Sequence, residues 1–293
     1  MALLSGLAAV IIPVLLMSFA GYLWGRRRLA FDQELVTNLV TLVGAPSLVF
    51  TTLTKIHLPA VQVAMVGGAA VGCMVLFAAV AAGGLIAARL PLNVYLPSLV
   101  FPNIGNMGLP VCLFAFGEDG LALAMIYFTV VTIGQFTLGP AIAAGRFRPG
   151  LLLKAPFLPA VVAAMAVNAF GVTVPQWLVN TASLASGLTI PLMLMALGVA
   201  LAELRVANLR RALVLSAARL VLGGGGGWLV CLFFGLDGVA RGVVVVESAM
   251  PVAVFNYLFA RLYGDQPEEV AGMVLVSTVL SYLTLPLLVA AVT

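Results

Sequence analysis

Apolar stretches of about twenty residues, each closed by a short polar or charged break, recur along the whole chain. That is the length an α-helix needs to cross the hydrocarbon of a bilayer. Ten can be drawn, at about 3–24, 35–53, 60–88, 93–116, 120–143, 155–171, 179–201, 211–235, 240–260 and 268–292. The pattern predicts an all-α polytopic membrane protein of ten transmembrane helices. One stretch departs from it. Within the fourth span, Phe101 to Cys112 reads F-P-N-I-G-N-M-G-L-P-V-C and places Asn103, Gly105, Asn106, Gly108 and Pro110 close together. Pro110 has no N–H to give the carbonyl of Asn106, and the glycines loosen the backbone, so the helix is expected to break here. Polar backbone at membrane depth is tolerated only where protein buries it or it lines a cavity. The stretch therefore reads as a binding site.

Composition agrees: 63% of the 293 residues are hydrophobic and 8% charged, with a mean hydropathy of +1.20, more apolar than a soluble fold of this length can hide. Charge then orients the chain through the positive-inside rule. With the N-terminus outside, the cytoplasmic loops hold Arg26, Arg27, Arg28, Arg89, Arg146, Arg148, Lys154, Arg205, Arg210, Arg211 and Arg261, eleven of the fourteen basic residues. External loops hold Lys55 and Arg241, and Arg219 falls in or near the eighth span. The expectation is a multi-pass protein of the cytoplasmic (inner) membrane with both termini outside. The three arginines follow the first span instead of preceding it, so it is expected to stay as a membrane helix and not to be cleaved as a signal. The same alternation explains the net charge of +4 without a nucleic-acid partner. His57 is expected on an external loop, and Cys73, Cys112 and Cys231, far apart in apolar segments, as packing residues.

Prolines reveal a repeat. Pro13, Pro46, Pro110 and Pro140 are followed by Pro159, Pro191, Pro251 and Pro286 at offsets of 146, 145, 141 and 146 residues. Residues 1–144 and 155–293 then form two five-helix halves, joined by a short cytoplasmic linker at 145–154. Five is odd, so the second half enters the membrane in the opposite sense, the inverted repeat of many secondary transporters.

The second-half counterpart of the Asn-rich stretch is Val246-Glu247-Ser248-Ala249-Met250-Pro251, followed by Asn256. Pro251 is expected to free the Glu247 carbonyl as Pro110 frees that of Asn106. Glu247 is the only acid deep in an apolar span, where an ionised side chain costs roughly 2.5–3.5 kcal/mol. It is expected to couple transport to a cation, by carrying a proton or by ligating Na⁺ with Asn106, with Ser248 and Met250 beside it. The plainer reading is a hydrogen bond to a neighbouring helix, or a pair with Arg219 or Arg241. Gln135, in the fifth span, joins Asn103, Gly105, Asn106, Gly108, Pro110 and Pro251 as a substrate-binding residue. Thr129, Thr132, Ser277, Thr278, Ser281 and Tyr282 read as helix-to-helix hydrogen bonding. The run Gly223 to Gly227 lacks the Lys-Ser/Thr ending of a phosphate loop and reads as close helix packing.

Two motifs resemble the auxin efflux carrier family, which includes plant PIN-type auxin carriers and bacterial transporters of organic acids such as malonate. Asn103-Ile-Gly-Asn-Met-Gly-Leu-Pro110 is similar to that family's N-x-x-x-M-G-I-P segment. Ala249-Met250-Pro251, Phe259-Ala260-Arg261-Leu262-Tyr263 and Leu285-Pro286 are similar to its A-L-P…F-A-K-E-Y…L-P pattern. The resemblance implies a fold like that of the bile acid symporters and Na⁺/H⁺ antiporters. In it, helices 1, 2, 6 and 7 form a scaffold, the others form a transport domain, and broken helices 4 and 9 cross. It also implies that Asn103 contacts a substrate carboxylate and that the protein is a homodimer. Plant carriers have a long hydrophilic loop between their halves and a Gln where this chain has Glu247, so neither loop regulation nor the plant coupling mechanism is carried over.

These observations converge on elevator-type secondary transport of a small organic anion, with no cofactor beyond a coupling proton or Na⁺. The half-helix N-termini and the amides of Asn103 and Asn106 would hold the anion. The alternatives are a passive anion channel and a membrane-embedded enzyme. For the enzyme there is no paired acid, Ser-His pair or metal cluster within the membrane segments.

Overall fold

The computed structural model describes residues 2–55, 59–144, 158–263 and 266–293. The linker at 145–154 and the position of His57 lie outside the described residues. The elements are α1 (Ala2–Arg26), α2 (Gln33–Leu39), α3 (Ala45–Lys55), α4 (Ala60–Ala87), α5 (Leu92–Val100), α6 (Leu109–Ala144), α7 (Leu158–Phe170), α8 (Gln176–Glu203), α9 (Leu209–Phe234), α10 (Gly238–Ser248), α11 (Val254–Tyr263) and α12 (Pro267–Val292). Single π-helical turns, Val40–Gly44 and Ile104–Gly108, lead into α3 and α6. Among the described residues the only β pairing is one isolated antiparallel bridge between Pro102 and Val252.

Among the described residues seven helical stretches are long and apolar enough to cross a membrane: Ala8–Arg26, Gln33–Thr54, Ala60–Ala87, Ile104–Ala144, Gln176–Glu203, Leu209–Phe234 and Pro267–Val292. The chain is a polytopic, all-helical membrane protein. Large apolar side chains face outward, among them Phe233 at 86% exposure and Leu287 at 74%. α10, by contrast, is buried on all sides along an unbroken valine run, Val243 to Val246.

Three stretches differ from the drawn spans. The fourth and fifth run together as 41 helical residues from Ile104 to Ala144, interrupted at Gly117 with φ 69° and ψ −159°. A Cβ there would touch nothing within 4 Å, so backbone conformation and not space calls for glycine. The ninth span is divided into α10 and α11, of 11 and 10 residues, and the described part of the sixth holds the 13 residues of α7.

Packing follows small residues. α1 lies against α8 with backbones in contact: Cβ atoms on Gly21 and Gly198 would collide with the main chain of Met195 and with that of Ser18 and Tyr22. The π turn leading into α3 joins this pair through Gly44, set against Thr189, and α7 packs on α3 through Asn168 Nδ2, which donates to the Leu53 carbonyl at 2.7 Å. At one end of the remaining helices, Arg211 Nη1 donates to Tyr95 Oη at 3.0 Å and to Glu269 Oε1 at 3.1 Å. The first turns of α5, α9 and α12 therefore share one face of the bundle. Asn208 caps α9 there by accepting from the Arg211 N–H at 3.0 Å.

Candidate functional site: two interrupted helices paired in the membrane

α5 stops at Val100, and Phe101 takes extended angles, φ −101° and ψ 105°. α10 stops at Ser248, and helix resumes only at Val254. Each interruption would leave main-chain groups without partners at a depth where water is absent. They pair with each other. Asn103 N–H donates to the Pro251 carbonyl at 2.7 Å and Ala253 N–H to the Phe101 carbonyl at 3.3 Å. Asn256 Nδ2 adds a second donor to Phe101 O at 3.0 Å, and Ser277 Oγ, from α12, accepts the Val252 N–H at 3.0 Å.

The break falls at the leading edge of the expected stretch, not at Pro110. Pro110 is the second residue of α6, after a π turn in which Gly108 N–H reaches back to Asn103 O at 3.2 Å and Leu109 N–H to Ile104 O. A wider turn at a helix start accommodates a residue without an N–H, so Pro110 continues the helix. Pro251 likewise lies in the extended link. The expectation that it frees the Glu247 carbonyl is corrected, because that oxygen accepts from Met250 N–H at 3.3 Å.

Asn103 is 5% exposed, and its Nδ2 has no hydrogen-bond partner; neither does Nε2 of Gln135, 3% exposed in α6. Among the described residues these are the two buried side-chain amide donors left without an acceptor. Asn103 stands at the head of the π turn, whose first N–H groups precede any backbone bond and carry partial positive charge. Gly105, half-buried, faces α8: its Cβ would lie 3.1 Å from Met193 Cε and 3.1 Å from Phe128 Cε2. Asn106 is half-buried in the same turn.

Glu247 is fully buried near the end of α10. Its carboxylate lies against Gly108, where a Cβ would overlap it. Cys112 Sγ donates to Oε1 at 3.7 Å, and Oε2 has no partner. It pairs with neither arginine considered for it. Arg241 stacks over Trp228 at 5.2 Å, and the one ion pair among the described residues joins Arg211 and Glu269. No group of three or more His, Cys, Asp or Glu side chains gathers among the described residues to hold a metal. Ser248, the next residue, points into another set: its Oγ is 2.9 Å from Tyr127 Oη and donates to Cys73 Sγ at 3.3 Å, while its carbonyl accepts from Arg219 Nη2 at 2.6 Å. Met250 is buried in the link, and its N–H caps Glu247.

Arg219, Asn256 and Ser277 were not among the expected site residues. A usable signal did exist for Arg219: it precedes Gly223 and Gly227 by four and eight residues, one helical stripe.

Residues 145–289 match a protein family described as "Membrane transport protein". Over 196 residues the chain is 26% identical to an uncharacterized transporter of Methanocaldococcus jannaschii, an alignment spanning 63% of each chain. Over 274 residues it is 27% identical to an uncharacterized transporter of Methanothermobacter thermautotrophicus, covering 87% of this chain and 88% of that one. Interrupted, paired membrane helices and these matches together support a transporter and point away from an enzyme. These likenesses support the resemblance of the sequence motifs to the auxin efflux carrier family.

Proposed function

We propose that the protein is a secondary active transporter of small organic anions, carrying a carboxylate across the cytoplasmic membrane by an elevator-type movement coupled to a proton. The observation that carries this is the pair of unpartnered amide donors, Asn103 Nδ2 and Gln135 Nε2, the first at the head of a helix that begins inside the membrane. Amide donors without acceptors, one of them at a positive helix end, suit a carboxylate and not a cation. The facing of Gly105 toward Met193 places this head beside α8. α8 belongs with α1, α3 and α7 to the scaffold of the proposal, and α4–α6 and α9–α12 to its moving part.

Counting α6 as two passages divided at Gly117, and α2 with α3, α5 with the start of α6, and α10 with α11 as one each, supports ten passages in two inverted halves. Proton coupling is favoured over Na⁺ at Glu247. A sodium ion needs several oxygens, whereas this carboxylate has a thiol and a glycine beside it, and both neighbouring carbonyls are engaged.

The test is uptake of labelled malonate, acetate and indole acetate into proteoliposomes under an imposed pH gradient, an Na⁺ gradient, or neither. Accumulation driven by the pH gradient supports the reading. Folded protein that accumulates none of the acids, or single-channel steps with linear flux, overturns it.

A further inference from the structure

Arg219 heads the largest fully buried side chains of the protein, with no exposed surface. No carboxylate lies within 4 Å of its guanidinium among the described residues. A cation in such a place needs a reason. Its surroundings are the Ser248 carbonyl, 2.6 Å from Nη2, and the ring of Phe77, whose centroid lies 5.0 Å from Cζ; Nε and Nη1 have no partners.

The Ser248 carbonyl is the last of α10, at the negative end of a helix that stops inside the membrane. The carbonyls before it are satisfied locally. Ala249 N–H bonds those of Val245 and Val246 at 3.0 and 3.2 Å, and Met250 N–H bonds that of Glu247. Only Ser248 O is left to a side chain, and the short contact is that of a charge-assisted bond. α9 is shaped to deliver it. A Cβ on Gly223 would run into Ser248 O and lie 2.9 Å from Ala249 Cα; one on Gly227 would lie 2.7 Å from Ser248 Cβ. The two glycines let the backbone of α9 pass directly beneath the end of α10. Arg219, one turn before Gly223 on the same stripe, then reaches the carbonyl from below.

Ends of broken membrane helices, where the carbonyls converge, are where carriers built from such helices hold metal cations. We infer that Arg219 is a tethered cation, its guanidinium standing at the C-terminal end of α10 where a metal ion would otherwise bind, so that the protein needs no Na⁺ there. A tethered charge cannot leave during a transport cycle. It therefore holds the helix end but couples nothing, and Glu247, which faces the other way toward Gly108 and Cys112, is left as the exchangeable site. This inference deepens the transport reading and rests on it only for that last step.

The test reads unfolding of the purified full-length protein in detergent, without any substrate. Midpoints are compared in sodium chloride and in N-methylglucamine chloride of equal ionic strength for wild type, Arg219→Ala and Arg219→Lys. Wild type and Arg219→Lys should have the same midpoint in both salts. Arg219→Ala should melt roughly 4–10 °C lower, and Na⁺ or low-millimolar guanidinium should raise it saturably. A merely structural arginine would lower the midpoint without creating that response. Saturable stabilisation of wild type by Na⁺, or an Arg219→Ala protein that neither cation raises, overturns the inference. If Arg219→Ala does not fold, the other two proteins decide: indifference to Na⁺ in both supports it, and a Na⁺-dependent rise in either overturns it. Lack of acid uptake alongside these cation results would overturn the transport reading alone.

Discussion

Gly108 and Glu247 compete for one volume: a Cβ on the glycine would lie 2.7 Å from the carboxylate Cδ and 2.9 Å from Oε1. The two residues come from different interrupted segments, so the carboxylate is seated by the first half of the chain although the second half carries it. Gly108→Ala should therefore lower stability by about 1–3 kcal/mol through overpacking. Shortening the partner in Gly108→Ala/Glu247→Ser should restore part of that loss. Denaturation of the four proteins of the cycle checks it, and the expected coupling exceeds about 0.5 kcal/mol.

Glu247→Gln keeps the shape of the side chain and removes its exchangeable proton. Movement of a transported acid down its own gradient should persist, while the stimulation by an imposed pH gradient should disappear. Proteoliposome uptake with and without that gradient separates the two. Undiminished pH stimulation in the variant would exclude Glu247 as the coupling group.

Asn103→Ala is expected to separate binding from folding. The bond that holds this residue in the crossing comes from its backbone N–H to Pro251, whereas its side-chain Nδ2 has no protein partner. The unfolding midpoint should stay near that of wild type. Concentration dependence of acid uptake should show KM raised by on the order of 10-fold, the loss of one good hydrogen bond to an anion.

The five glycines from Gly223 to Gly227 should respond to alanine very differently. Positions 223, 226 and 227 would press a Cβ into the end of α10 or into Phe77, while at Gly225 nothing lies within 4 Å. Gly225→Ala should be neutral or stabilise by up to about 1 kcal/mol through helix propensity. Gly223→Ala should destabilise and disturb the Arg219 contact. A thermal-unfolding series across the run reads the contrast directly.

The membrane character and the place of the crossing are legible in the sequence because both rest on backbone chemistry that residue types announce. Twenty apolar residues have few alternatives to a membrane helix, and Asn, Gly and Pro together weaken one. The register of the break was less legible. Proline marks where an N–H is missing, yet a π turn absorbs Pro110 and moves the interruption to Phe101–Asn103. Gly117 joins two expected spans with a single non-helical residue, which hydropathy resolves only as a dip around Glu118 and Asp119. Arg219 was hidden for another reason. Its partner is the carbonyl of Ser248, and matching charged side chains against one another never finds a main-chain acceptor. The clue lay in the glycines that let the two backbones approach.

The hydrogen bonds between Asn103 and Pro251, and between Phe101 and Ala253, also bear on how the protein is made. The first half reaches the bilayer with a donor and an acceptor that stay unmatched until the ribosome has produced half the chain again. In the interval the Asn-Gly segment has to remain wetted or borrow a partner from the insertion machinery. Truncated chains that end before residue 251 should accordingly be recognised as unfinished and degraded, however well each of their helices inserts.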